Sequence, residues 1–172
     1  DIPTPNYPYH YLTSLFFKRD QPEQLHKMTH SGQEWCGNTF KQFELSPSGY
    51  AYDYHSYFDG YGDGKMVIEG NAFWWEDQLP YVLRALKFKN DLTFKKEVLN
   101  NQINTKTYRP EIEEAEFKVK DLDSLWQVSV TFQKGINVYQ FEKKYPHIMQ
   151  TQRTWYGYDM QLKEVSRYKY WR

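Results

Sequence analysis

Only one cysteine, Cys36, occurs in the 172 residues, so no internal disulfide holds the fold and stability has to come from core burial. Charge of either sign is not in excess: 22 Lys+Arg stand against 22 Asp+Glu. With no basic run longer than two residues, the long-range attraction behind non-specific phosphate binding is missing, and nucleic acid is excluded as an expected partner. No window approaches the roughly 18 consecutive apolar residues of a membrane-spanning helix. Aliphatic residues are scarce as well. Leu, Ile and Val together number 26, fewer than the 33 aromatics. The core therefore depends on rings, which suit pleated surfaces and tolerate one wet side.

What is present reads as strands. Tyr50, Tyr52, Tyr54, Ser56 and Phe58 alternate with Ala51, Asp53, His55 and Tyr57, a period of two that a helix does not produce. The glycines of Asp59-Gly60-Tyr61-Gly62-Asp63-Gly64 then predict a hairpin into Met66-Val67-Ile68. Further short runs at 11–18, 24–30 and 39–45 are bounded by Pro- and Gly-containing turns. A meander follows at 113–120, 124–133, 136–142, 147–155 and 160–171. In its second run Trp126, Val128, Val130 and Phe132 share a face. Leu79, Val82, Leu83 and Leu86 fit helical spacing, so one helix is expected at 78–87, capped by Asp77. The expected fold is a single domain over 1–172. It is mainly β, about ten strands in one strongly curved antiparallel sheet, half-barrel or barrel, plus that helix.

Catalytic signatures are thin. Cys36, with His30 or His55 as base and Gln33 as oxyanion donor, would make a cysteine hydrolase or transferase, but its order and spacing match neither the cysteine-protease nor the transglutaminase pattern. The segment Gln33–Gly37 reads better as a structural corner, with Trp35 and Cys36 packed inward and Gly37-Asn38 turning the chain. His26 and His30 are four apart, which on a strand is about 13 Å, too far to share a metal. Asp59, Asp63 and Gly64 resemble part of a calcium loop, yet Gly70 stands where the bidentate Glu belongs. Glu111, Glu113, Glu114 and Glu116 read as a solvated sheet edge. No phosphate loop, nucleophile elbow or dinucleotide fingerprint is present, so neither cofactor nor metal is expected. The surplus of rings points instead to a ligand surface, with Tyr50, Tyr52, Tyr54, Trp74, Trp75 and Trp126 as its expected residues. Sugar stacking on those rings, as in a carbohydrate-binding module, is a further alternative.

Tyr7-Pro8-Tyr9, Thr29-His30-Ser31-Gly32-Gln33-Glu34-Trp35-Cys36-Gly37 with Phe40 and Gln42, and His55-Ser56-Tyr57-Phe58 resemble an uncharacterised secreted family of Gram-negative bacteria. Its members have sometimes been labelled septum-formation inhibitor Maf. That label implies an α/β nucleotide pyrophosphatase with a basic substrate loop, and this β-rich chain shows neither feature. From Trp126 through Phe141-Glu142 and Pro146-His147 to Tyr170-Trp171, the chain is similar to curled-sheet periplasmic proteins of the lipoprotein-carrier type. The resemblances imply a protein that is periplasmic or outer-membrane associated, exported by a signal peptide absent from this processed or truncated chain, and they carry no settled activity. Joined to the surplus of rings, the expected function is a non-catalytic envelope protein whose aromatic concave surface binds an apolar small molecule or an envelope protein partner.

Overall fold

The structure is a computed structural model and describes residues 10–169. It is mainly β, but its strands form two sheets rather than the single one expected. The chain divides into two compact units, the first of which includes residues 74–75 and 96–99 of the second sheet. The first comprises the described residues to Val82 with Lys96–Glu114, and the second Leu83–Lys95 with the described residues from Ala115.

Five strands make the first sheet: β1 (His10–Lys18), β2 (Gln21–Glu34), β3 (Gly37–Ser46), β4 (Gly49–Ser56) and β5 (Gly64–Glu69). Each pairs antiparallel with the next in chain order. Register puts Leu15, Met28, Phe43, Tyr52 and Met66 in one cross-strand row of the inner face. Thr13, His30, Lys41, Tyr54 and Gly64 form the next row. One end of this face is thus apolar and the other polar. In the apolar end Phe43 stacks on Tyr52 with centroids 4.2 Å apart, and Trp75 meets Phe43 and Tyr50 edge-on at 4.8 and 5.0 Å. Rings pack on rings there because few aliphatics were available.

The second sheet, curled as a half-barrel, runs β12-β11-β10-β9-β8-β7-β6. Its members are β6 (Trp74–Trp75), β7 (Thr93–Leu99), β8 (Ile112–Leu122), β9 (Leu125–Thr131), β10 (Ile136–Glu142), β11 (Met149–Arg153) and β12 (Asp159–Gln161). The pair β6–β7 is parallel, a further departure from an all-antiparallel meander. In the second unit Ala115, Phe117, Val119, Val128, Val130, Tyr139 and Phe141 are all buried, the clean alternation having placed them on one face. Of the expected strand at 160–171, residues 170 and 171 lie outside the described residues, 160 and 161 fall in β12, and 162–169 have no regular structure.

The expected helix is shorter than its pattern. Only Leu79–Val82 is α-helical (α1), flanked by 3₁₀ turns at Glu76–Gln78 and Leu83–Ala85. Asp77 does not cap it. It lies inside the preceding 3₁₀ turn, whose own N-cap position is Trp75 with no side-chain bond, and its buried carboxylate is taken by donors at residues 101 and 102.

Candidate functional site

The expected ligand residues divide sharply by burial. Tyr50, Tyr52 and Trp75 are buried in the ring core just described, and Trp74 is buried beneath Lys96, whose Nζ lies 5.8 Å from its ring. Burial raises both phenols above their ordinary value of 10. Tyr50 donates to Leu25 O at 2.6 Å, whereas the buried Tyr52 hydroxyl has no hydrogen-bond partner among the described residues. Tyr54 is half-buried. Trp126, in the second unit, is half-buried between Phe88, stacked at 5.6 Å, and Lys143.

Three strongly exposed rings, Trp35, Tyr57 and Tyr108, lie at the polar end of the first unit, while Phe16 in β1 and Tyr145 and Tyr168 in the second unit are exposed elsewhere. The turn between β2 and β3 carries Trp35 and Cys36, and Trp35 is 78% exposed, so the inward-packed corner is corrected. The reason is local. Gln33 pairs with Asn38 and Glu34 with Gly37, which leaves residues 35 and 36 as a two-residue tip beyond the sheet. Tyr57, 72% exposed, follows β4 and bonds through its N–H to Asn38 O at 3.0 Å. Its ring lies against Gly37, where a Cβ would stand 2.2 Å from it, so only glycine fits. From Tyr57 an edge-to-face series runs through Phe58 and Tyr61 to Tyr108, itself 60% exposed, at 6.1, 6.4 and 5.1 Å. In the turn from β4 to β5, Gly60 and Gly62 have φ of 83 and 57°, as the sequence pattern anticipates.

Tyr108 is held there by residues 100–108, which lie as a strap over the polar row of the inner face. Lys41, 0% exposed, donates from Nζ to Gln102 O and Asn104 Oδ1, both at 3.0 Å. Asp77 accepts from Gln102 N at 2.9 Å and from Asn101 Nδ2 at 2.7 Å. Glu76 accepts from Asn101 N at 3.0 Å. Gln102 is therefore gripped by its amide on one side and its carbonyl on the other. Farther along, Thr105 O accepts from Thr39, and Thr107 donates to Tyr61 O at 2.8 Å. Burial pushes the Lys41 amine down to about 7 and the Asp77 carboxyl up to about 7. His30, beside Lys41 in the register, is lowered to about 4 by burial first and by the Lys41 charge second.

Of the two candidate bases, His30 is set apart from Cys36. His30 is buried with Nδ1 2.8 Å from Thr13 Oγ1, whereas Cys36 is exposed beyond the end of the same strand, at least about 13 Å of extended chain away. His55 lies between Asp53 and Asp63, at 3.6 and 3.4 Å. His26 and His30 both fall on β2, as expected. Among the described residues no group of three or more His, Cys, Asp or Glu is placed to hold a metal, and no helix is long and apolar enough to cross a membrane. Sequence reading missed the Lys41–Asp77–Gln102 grip altogether. No local signal could have found it, since Thr39 and Lys41 share the face of Phe43 while Phe40 lies on the other. No family model, curated protein or solved structure matches the chain.

Proposed function

We propose that this chain is a non-catalytic protein of the bacterial cell envelope that docks an assembly partner through the aromatic end of its first unit. The observation that carries the reading is the exposure of Trp35, Tyr57 and Tyr108 at 78, 72 and 60% on three segments tied to one end of one sheet. Left in water, such rings cost free energy that a partner surface would recover, and Trp and Tyr are the residues on which binding energy concentrates. Of the three segments behind the secreted-family resemblance, Tyr7–Tyr9 lies outside the described residues, and the ends of the other two, Thr29–Gly37 and His55–Phe58, meet at this same end.

A protein partner is favoured over an enclosed apolar small molecule, because Tyr50, Tyr52 and Trp75 occupy one another's space instead of lining a hollow. A cysteine enzyme is disfavoured by the separation of Cys36 from His30.

A photo-crosslinking amino acid at position 35, expressed at native level in the bacterial envelope, tests this. One discrete adduct is expected, absent when the same probe replaces Tyr145, which is 82% exposed on the second unit. Adducts equal at both positions, or none at position 35 in a chain that melts normally, would sink the reading.

A further inference from the structure

Lys41 is an unusual group to bury. Its ammonium form would be strongly solvated outside, yet here Nζ meets two uncharged oxygens, both supplied by the strap, Gln102 O and Asn104 Oδ1. A neutral amine can donate both of those hydrogen bonds without the desolvation cost of the charge. Lifting the strap would return Nζ to water, where the charged form is stable.

We propose that residues 100–108 are a proton-gated cover, lying over Lys41 when its amine is neutral and lifting when the amine takes up a proton. The direction follows from linkage. Buried under the strap, the amine stands at about 7 against its ordinary 10.5; an open state that returns it to water holds more protons between those values, so rising pH drives closure.

The other ionisable groups around Lys41 act elsewhere on the pH scale. From β2 faces His30, held neutral down to about 4, so its uptake of a proton opposes closure only between 6.5 and 4. The turn before α1 contributes Glu76 and Asp77. The Asp77 carboxyl keeps its proton up to about 7, so its ionisation opposes closure only between 3.8 and 7. From β4 Tyr54 lies opposite Lys41. Above neutral pH, Lys41 is thus left as the governing group up to the range of the phenols.

The strap carries Thr107 and Tyr108 onto Tyr61, so its position sets the arrangement of the aromatic end. That consequence rests on the docking reading, whereas the gate itself does not.

Hydrogen exchange of the isolated full chain, corrected for the intrinsic pH dependence, tests the gate without any partner. The Gln102 amide should gain about 50-fold in protection between pH 7 and 9, close to the tenfold per pH unit of a single linked proton, while Val130 in the second unit gains nothing comparable. Lys41→Met should abolish the gain. An NMR titration of the Lys41 side chain in the unaltered protein should show a midpoint far below 10.5. Constant Gln102 protection across this range, an equal gain in Lys41→Met, or a midpoint at the ordinary value would each overturn the proposal.

Discussion

Phe43 and Phe40 are three residues apart on one strand and so point to opposite faces of the first sheet. Phe43 is wholly buried, stacked on Tyr52 and edge-on to Trp75. Phe40 pairs with His55 on the outer face and is 39% exposed. Truncating Phe43 to alanine removes its transfer energy and leaves a cavity that neighbouring rings cannot easily fill, about 3–5 kcal/mol together. Much of that loss reflects two ring pairs worth about 0.5–1.5 kcal/mol each beyond area. Against a typical domain stability of about 5–15 kcal/mol this is at least about a fifth of the total. The same change at Phe40 should cost less than about 1 kcal/mol. Urea unfolding followed by tryptophan fluorescence reads both, with the transition assigned to the first unit because Trp75 reports from beside Phe43. Equal losses at the two positions, or less than about 1.5 kcal/mol for Phe43→Ala, would refute the register and the inner-face core built on it.

Cys36→Ser should change stability by less than about 0.5 kcal/mol, and the thiol should react with a disulfide reagent in the folded protein, because Cys36 sits at an exposed turn. Gly37→Ala should cost about 1–3 kcal/mol and displace Tyr57, seen as a changed near-ultraviolet circular dichroism. Gly60→Ala, with nothing within 4 Å of the added carbon, should cost only the roughly 1 kcal/mol of its positive φ. Stability of the first unit should rise by about 1–3 kcal/mol from pH 7 to about 9.5 as the buried Lys41 loses its proton. It should fall again above about 10, where unfolding lets the buried phenols of Tyr50 and Tyr52 ionise. Chemical denaturation across that range gives the curve.

Which parts were legible follows from how unambiguous the alternation is. Tyr50–Ser56 and Trp126–Phe132 alternate without exception, and each lies where its pattern places it apart from end effects. Around Lys41 the alternation has no clear sense, since Phe40 and Phe43 fall on opposite faces with a lysine between them, and nothing local says that the lysine is the buried one. Its acceptors come from residues 102 and 104, some 60 positions away, inside a polar stretch that reads only as a loop. Asp77 misleads for a related reason. An aspartate before Leu79-Pro80 looks like a cap, but the parallel pairing of Trp75 with Leu99 brings residues 101 and 102 alongside, and their donors take the carboxylate instead. The single-sheet expectation failed because turn spacing counts strands without saying which edges meet, and the short β6 that joins β7 is invisible as a two-residue strand.

Hydroxyl-radical footprinting in intact envelopes, set beside the purified chain, tests the docking surface most directly. Trp35, Tyr57 and Tyr108 should oxidise readily in the purified chain and be protected at least about fivefold in the envelope, a change expected when interface rings are desolvated. Tyr145 should oxidise equally in both. Unchanged oxidation of the three rings in the envelope, with protection confined to residues outside this end, would contradict the account.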